Sequence, residues 1–306
     1  SQFSGKLTDQ LGRFKNIKSL DLSYNSISGH ILSLGKLSTL SYLDLSNNGL
    51  SGPIPLSLGE LLPLTHLYLS WNKLEGPIPP SLGDLSFLKY LDLYRNKLNG
   101  SLPPLGKLSS LTYLDLSDNE LSGLIPPSLG ELSFLKYLTL SNNKLNGSLP
   151  SLGKLSSLTN LDLSNNELSG PIPSSLGELL SLTDLCLQNN SLSGPIPLSF
   201  GELSSLESVD VSVNKLNGTL SEIHFVNLTR LTFFYASGNS LILKVNPDWI
   251  PPFQLTSLSM GSCHLGPQFP SWIYSQKDLS DLDISNSGIV GTIPSGFGDI
   301  IPILNT

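Results

Sequence analysis

Histidine and cysteine, the side chains that most often perform catalysis or bind metals, are few and scattered in this sequence. They are His30, His66, His224, His264, Cys186 and Cys263. None of them forms a metal-binding spacing such as H-E-x-x-H, and no serine stands in a G-x-S-x-G elbow. Because catalysis needs groups that converge on one point, we expect no enzyme activity, no metal site and no cofactor.

One segment with two glycines superficially resembles a phosphate-binding loop. Residues 100–107 read G-S-L-P-P-L-G-K, but five residues separate the glycines where the loop has four, and Leu108 stands where Ser or Thr would hold magnesium. The same phrase recurs at residues 29–36 and 147–154. It therefore belongs to a repeat, and nucleotide binding is not expected.

Aromatic residues offer the chemistry of binding instead. Aromatic rings recur every 23 or 24 residues in the first half of the chain, with further aromatic and Arg side chains close by. Trp, Tyr and Arg dominate binding hot spots because they bury much area and keep a polar group. The expected ligand-binding residues are Tyr42, His66, Tyr68, Trp71, Tyr90, Tyr94, Arg95, Tyr113 and Tyr137. The alternative is that Tyr simply suits strands, and that Tyr90 and Tyr137 are copies within a duplicated segment, residues 85–131 and 132–178.

These spacings follow from a repeat that runs along the chain. The pattern L-x-x-L-x-L-x-x-N-x-L occurs twelve times between Ile17 and Ile289, at intervals of 23 to 25 residues. Its alternating centre predicts a short strand with Leu inward and variable residues outward, and stacked strands form a parallel sheet. The Asn column ends in Cys263 and Ser287, and its amides can satisfy backbone groups where each coil turns.

Between the strands, phrases rich in Gly and Pro, such as residues 51–61, exclude a long helix and favour extended and short 3₁₀ segments. We therefore predict a leucine-rich repeat solenoid. It is expected to be a right-handed superhelix with a concave parallel β-sheet and a convex side rich in Pro and Gly. One domain is expected over residues 1–306, with about twelve repeats and no cap at either end.

Composition excludes several classes of protein. The chain has 306 residues, of which 68 are Leu and one, Ala236, is Ala, which disfavours a helix-rich fold. The formal net charge of −7 argues against nucleic acid as a partner. No run reaches the roughly 18 apolar residues that a bilayer requires, so we expect no membrane contact by this segment.

Two outward columns of the repeat carry small polar side chains. The fifth template position holds Asp in seven repeats, which predicts either a scaffold role or a basic partner. The seventh position holds Ser in nine repeats, with Tyr94, Gln188 and Gly261 as interruptions. A row of serines makes ice binding a further hypothesis.

The continuation L-S-G-x-I-P, as in residues 50–55, resembles the plant-specific class of extracellular leucine-rich repeats. Residues 220–229, 245–255 and 263–272 look like the central repeats of plant receptor-like proteins of the ethylene-inducing-xylanase receptor type. The resemblance implies repeats held outside the plasma membrane, a microbial elicitor as ligand, a co-receptor and a role in defence and innate immunity. The family's Cys-paired caps, island and membrane span do not occur in this sequence, so signalling is not carried over.

The sequence contains two cysteines and five sequons for N-glycosylation. Cys186 and Cys263 fall three repeats apart, roughly 14 Å along the stack, and a disulfide needs Cα atoms within about 7 Å. We therefore expect two unpaired thiols. The predicted glycosylation sites are Asn99, Asn146, Asn189, Asn217 and Asn227.

Three function classes remain open. The first is a recognition module that binds a protein or peptide through its concave face. The second is an engineered or truncated repeat scaffold without a natural ligand, which the duplicated segment favours. The third is a secreted inhibitor of cell-wall-degrading enzymes, which would need complete Cys caps.

Overall fold

A computed structural model describes residues 3–7, 9–31 and 34–292 of the chain. The chain divides into two compact units, Ser1–Leu158 and Thr159–Thr306, here called the N-terminal and the C-terminal unit. Both are built from the predicted repeat. The expectation of a single domain over residues 1–306 stays a prediction.

The predicted alternating strands form a parallel sheet, called the first sheet, in each unit. In the N-terminal unit the middle residue of each strand is buried, as at Leu43 and Leu67, and the first residue is half-buried or exposed. These strands are Ser19–Asp21, Tyr42–Asp44, His66–Tyr68, Tyr90–Asp92, Tyr113–Asp115 and Tyr137–Thr139. Each pairs in register with the next, so residues at one template position lie side by side.

The C-terminal unit repeats this arrangement. Its first-sheet strands are Asn160–Asp162, Asp184–Cys186, Ser208–Asp210, Phe233–Tyr235, Ser257–Ser259 and Asp281–Asp283, paired in parallel along the chain. Val209 and Leu258, in the middle of their strands, are buried.

A second parallel sheet follows the turn of each repeat, where the sequence predicts extended chain without pairing. In the N-terminal unit its strands are Ser4–Lys6, Ser26–His30, Gly49–Gly52, Lys73–Gly76, Lys97–Ser101, Glu120–Leu124 and Lys144–Ser148. In the C-terminal unit they are Glu167–Gly170, Ser191–Gly194, Lys215–Leu220 and Ser240–Leu243. Most of these strands contain Gly with positive φ, such as Gly52 at 73°, which hides their strand character from sequence patterns.

Short 3₁₀ helices complete the repeats, as predicted. They are Asp9–Arg13, Leu56–Glu60, Pro80–Asp84 and Pro127–Glu131 in the N-terminal unit, and Ser174–Glu178, Leu198–Glu202, Glu222–Phe225 and Ser271–Ser275 in the C-terminal unit. Gly59 lies so close to the next repeat that an added Cβ would stand 2.4 Å from the carbonyl oxygen of Ser81. Glycine here allows neighbouring backbones to pack closely.

The asparagine ladder joins the repeats at their turns. Asn72 Nδ2 donates to the carbonyl oxygens of Leu69 (3.2 Å) and Ser70 (3.2 Å), and to that of Leu45 in the preceding repeat (2.9 Å). Its Oδ1 accepts from the backbone N–H of Leu50 at 3.0 Å. The predicted role of Asn, a side chain with both donor and acceptor, is therefore confirmed.

The two substitutions in the ladder preserve part of this bonding. Cys263 Sγ donates to the carbonyl oxygen of Ala236 at 3.3 Å, and Ser287 Oγ donates to that of Ile284 at 2.6 Å. Both side chains donate to a carbonyl oxygen, as Asn does.

Candidate ligand-binding face

A row of aromatic rings runs across the first sheet of the N-terminal unit. The row consists of the predicted residues Tyr42, His66, Tyr90, Tyr113 and Tyr137, one on each of five neighbouring strands, and is called the aromatic row. Ring centroids are 4.7 Å apart for His66 and Tyr90 and again for Tyr113 and Tyr137, with nearly parallel planes. In-register parallel pairing creates the row, because it places equivalent residues side by side.

The rings of the aromatic row cover one another, so each of them is half-buried. Tyr68 packs beside the row, with its ring centroid 5.7 Å from that of Tyr42 and 6.5 Å from that of Tyr90. Burial raises the pKa of Tyr68 to about 12, and it also raises the pKa of Tyr42 and Tyr113. These three phenols are therefore protonated near neutral pH, and their oxygens can accept hydrogen bonds, while the O–H of Tyr113 already donates to Asp115 Oδ2 at 3.4 Å.

His66 is the single imidazole of the row. Its Nδ1 lies 2.8 Å from Thr65 Oγ1, and its ring stacks on Tyr90. Burial, together with the positive charge of Lys89, lowers the pKa of His66 below 6.5. The ring is therefore mainly neutral at pH 7, and because Thr65 engages Nδ1, Nε2 is the nitrogen left for a ligand.

A second group of predicted residues meets at the turns that follow two of these strands. Arg95 Cζ lies 3.9 Å from the centroid of the Trp71 ring, and the Tyr94 ring meets Trp71 edge-on at 5.9 Å. Trp71 and Arg95 are exposed, with 43% of Trp71 accessible. We call these three residues the turn cluster. Within the described residues, no ring contact joins it to the aromatic row.

Two residues of the turn cluster have a backbone conformation that is unfavourable for large side chains. Trp71 and Arg95 have φ values of 53° and 54°, in the left-handed region. Other repeats place Asn47, Asp118 or Asn142 at this position, and these short polar side chains tolerate it better. A large residue here costs about 1 kcal/mol. Strain of this kind is typical of functional sites.

The acidic column has a structural explanation. In every repeat with Asp at the fifth position, Oδ1 accepts a hydrogen bond from the backbone N–H two residues later, at 2.8 to 3.0 Å. The side chain thereby satisfies the turn after the strand, as Asx turns do. Burial raises the pKa of Asp92 and Asp115. This bonding favours the scaffold interpretation of the column.

The serine column does not form an open hydroxyl surface. Ser46, Ser70, Ser117, Ser141 and Ser164 are each 3% to 6% exposed, so their side chains are buried. Ser23, Ser212 and Ser237 are half-buried and Ser285 is exposed, so the column offers no continuous row of exposed hydroxyl groups in either unit.

The five predicted glycosylation sites are exposed. Asn99, Asn146 and Asn217 are exposed on strands of the second sheet, and Asn189 and Asn227 are also exposed. Their glycosylation stays a prediction.

Both cysteines are unpaired, as predicted. Burial is the main cause that raises the pKa of Cys186 to about 12 and that of Cys263 to about 11. Both thiols are therefore protonated at neutral pH and weakly reactive.

Sequence reasoning left out three exposed or half-buried residues of the C-terminal unit. Phe233 and Tyr235 stack with ring centroids 6.4 Å apart on one first-sheet strand. Val213 is 54% exposed and has a φ of 51°. Phe233 occupies the same template position as the residues of the aromatic row, so the sequence pattern could have identified it. The positive φ of Val213 could not have been identified from the sequence.

Metal-binding clusters and membrane-spanning helices do not occur in the described part of the chain. Residues 3–7, 9–31 and 34–292 contain no group of three His, Cys, Asp or Glu side chains placed to hold a metal ion. Over the same residues, no helix has the length and apolar character needed to cross a membrane.

Stacked parallel strands, the asparagine ladder and short 3₁₀ helices define a leucine-rich repeat solenoid. A profile described as a leucine-rich repeat region matches residues 80–289, and a Leucine Rich Repeat profile matches residues 16–37, 39–61 and 63–85. The chain belongs to the leucine-rich repeat family.

Curated relatives of the chain are plant receptor-like proteins. Over 87 residues, 28% of the chain, it is 46% identical to receptor-like protein EIX1 and 42% identical to receptor-like protein EIX2 of Solanum lycopersicum. The match spans 8% of the length of each relative. The predicted resemblance to plant receptor-like proteins is confirmed.

Solved structures confirm the fold over most of the chain. The plant peptide hormone receptor RGFR1 in complex with RGF2 has a TM-score of 0.79 and 31% identity, covering 93% of this chain and 51% of that one. The Arabidopsis receptor kinase HAESA in complex with the peptide hormone IDA and the co-receptor SERK1 has a TM-score of 0.69 and 28% identity, covering 92% and 56%. A plant ice-binding protein has a TM-score of 0.63 and 30% identity, covering 80% and 78%.

Proposed function

We propose that this chain is an extracellular recognition module that binds a peptide or an extended protein segment on the N-terminal unit, across the aromatic row and the turn cluster. The observation that carries the proposal is the continuous, half-buried aromatic row beside a strained, exposed Trp–Arg pair. Similar solved structures are receptors in complex with peptide hormones, and the curated relatives are receptor-like proteins, which supports a peptide or protein ligand outside the cell.

The dimensions of the aromatic row suit an extended ligand. Five rings on neighbouring strands cover about 20 Å, which is the length of about six residues of extended peptide. Phenol groups donate and accept hydrogen bonds, so they can pair with the free N–H and C=O groups of a peptide backbone. The ring edges supply apolar contact at a low cost in side-chain entropy.

The proposed biological role extends the resemblance to plant receptor-like proteins. We propose a role in plant defence, with a microbial protein or a peptide from it as the ligand, and with a co-receptor as a second partner. No catalytic or cofactor role forms part of the proposal.

The proposal is tested with the purified protein as bait in a selection from a displayed library of random peptides. Trp71→Ala combined with Tyr94→Ala is expected to abolish capture of the enriched peptides and to leave thermal unfolding almost unchanged. Phe87→Ala combined with Phe134→Ala is the matched control, because these two exposed aromatic residues lie outside the first sheet.

Two results would contradict the proposal. One is the absence of any peptide enriched by the unsubstituted protein, which would favour a scaffold without a ligand. The other is unaltered capture by the Trp71 and Tyr94 double variant.

Ice binding is the second candidate, because a plant ice-binding protein resembles the chain over 78% of its own length. Thermal hysteresis of the purified protein measures it directly. We expect none, since five serines of the regular column are buried.

A further inference from the structure

We propose that Arg95 binds a carboxylate of the ligand, and that Trp71 and Tyr94 position its guanidinium for that contact. The inference rests on the proposed function and specifies the chemistry of the ligand: an extended peptide or protein segment that carries an acidic group beside its apolar part.

The guanidinium of Arg95 is held in one orientation before any ligand arrives. Its Cζ lies 3.9 Å from the Trp71 ring centroid, and Tyr94 packs edge-on against the same ring. Stacking occupies one flat face of the guanidinium and leaves its N–H groups, which lie in the guanidinium plane, available. Those N–H groups form a planar fork that matches the two oxygens of a carboxylate.

Arg95 makes no ion pair among the described residues, which it has in common with several lysines; what sets it apart from them is its position over the Trp71 ring. Lys107, Lys144 and Lys154 reach Asp84, Glu120 and Glu131 at 2.9 to 3.4 Å, and Arg230 pairs with Glu207. Within the part of the chain that the structure describes, no carboxylate lies within ion-pair distance of Arg95 and no hydrogen bond to its side chain forms.

The nearest acidic residues in the fold do not bind Arg95. Asp92 is engaged by the backbone N–H of Tyr94 at 3.0 Å and by Ser70 Oγ at 2.7 Å. Asp118 occupies the same turn position in the next repeat, and it too makes no ion pair with Arg95 among the described residues. In a chain with a net charge of −7, an exposed guanidinium without a partner is complementary to an external acid.

The backbone supports the same conclusion independently. Trp71 and Arg95 both adopt a positive φ at a turn where most other repeats place Asn, Asp or Gly, although Tyr24 and Val213 share this conformation. Asn at both positions would relieve the strain, but it would remove the stacked pair. The chain therefore retains two unfavourable residues next to each other in space, as expected for a binding contact.

The test uses the peptides that the selection above enriches. Each Asp or Glu of a peptide is replaced by Asn or Gln, and its C-terminal carboxylate is amidated in a separate peptide. Calorimetric titration then gives Kd for the unsubstituted protein, Arg95→Gln, Arg95→Lys and the control Arg230→Gln, with thermal unfolding as the check on folding.

We expect one neutralised carboxylate to weaken binding to the unsubstituted protein about tenfold or more, and to have no effect on binding to Arg95→Gln. Weaker binding after Asp or Glu replacement indicates a side-chain carboxylate, and weaker binding after amidation indicates the C-terminal carboxylate. Arg95→Lys should bind more weakly than the unsubstituted protein, because an ammonium lacks the planar fork. Arg230→Gln should bind normally.

The inference is overturned if every neutralised peptide binds the unsubstituted protein within twofold of its parent, or if the loss persists in Arg95→Gln. Equal binding by Arg95→Lys and the unsubstituted protein would also overturn it. In each case the enriched peptides still bind, so the proposed function stands; failure of the selection itself is the separate result that removes that function.

Discussion

Four bulky side chains occupy a turn position at which the backbone is left-handed. Tyr24, Trp71, Arg95 and Val213 have φ values of 51° to 54°, where most other repeats have Asn, Asp or Gly. For Trp71 and Arg95 the stacked pair provides a compensating contact of about 0.5 to 1 kcal/mol. Val213 is exposed and β-branched, so it carries the strain without such a contact.

Val213→Asn should therefore stabilise the protein. We expect the free energy of unfolding to rise by about 1 kcal/mol, because Asn tolerates the left-handed region and little apolar area is lost. Urea denaturation measures the change. Val213→Ala is the control, since Ala retains the strain and should give no gain, and an equal gain from both substitutions would contradict the explanation.

The protonation of His66, in the aromatic row, makes the stability of the protein depend on pH. Its pKa is lowered by burial and by Lys89, so between the folded pKa and 6.5 the unfolded chain binds more protons than the folded one. Stability then falls as pH drops below 6.5. His66→Gln should flatten this part of the stability profile measured by urea denaturation.

The same pKa responds to its charged neighbour. Lys89→Gln should raise the titration midpoint of His66, followed by NMR of the imidazole protons and assigned with His66→Gln. Lys107→Gln serves as the control, because Lys107 pairs with Asp84. A midpoint that does not move in Lys89→Gln would contradict the assigned cause.

At the level of elements, the asparagine ladder holds successive repeats together. Asn119 is buried, and its Nδ2 donates to the carbonyl oxygens of Leu116 (3.2 Å), Ser117 (3.0 Å) and Leu93 (3.0 Å). Its Oδ1 accepts from the backbone N–H of Leu98 at 3.0 Å. Without this side chain, the backbone groups of two repeats lose partners that water does not easily replace.

Asn119→Ala should lower the free energy of unfolding by about 3 kcal/mol. Asn99→Ala, at an exposed position of a second-sheet strand, should change it by less than about 0.5 kcal/mol. Denaturation of both variants side by side measures the difference. A small effect at Asn119 would show that the repeat tolerates an empty ladder position.

The two sheets of each repeat differed in how well they could be predicted. First-sheet strands carry a strict alternation of Leu and polar residues, which is the signal of a half-buried strand. Most second-sheet strands contain Gly and some precede Pro, as in residues 49–55, so their local pattern indicates irregular chain. Pairing with the neighbouring repeats supplies the hydrogen bonds that make them a sheet.

On the scale of the whole molecule, the predicted glycans and the predicted ligand occupy different surfaces. Asn99 and Asn146 lie on second-sheet strands of the N-terminal unit, whereas the aromatic row lies on its first sheet. Sugars at these positions would leave the row accessible.

Protein secreted from plant cells should carry N-glycans that a glycosidase removes, with the mass loss read from intact-mass spectra. Replacing all five sequon Asn residues by Gln should leave peptide capture unchanged. Lost or increased capture would contradict the separation of the two surfaces.

The repeat pattern by itself determined the leucine-rich repeat class, the first-sheet strands, the buried Leu positions and the members of the aromatic row. It could do so because a fixed period with in-register pairing converts spacing along the chain into neighbours in space. Tertiary structure alone decided that Arg95 stacks on Trp71, that the Asp column binds turn N–H groups and that five serines of a regular column are buried. Those features depend on side-chain direction and backbone φ at each turn, which a pattern of residue types does not specify.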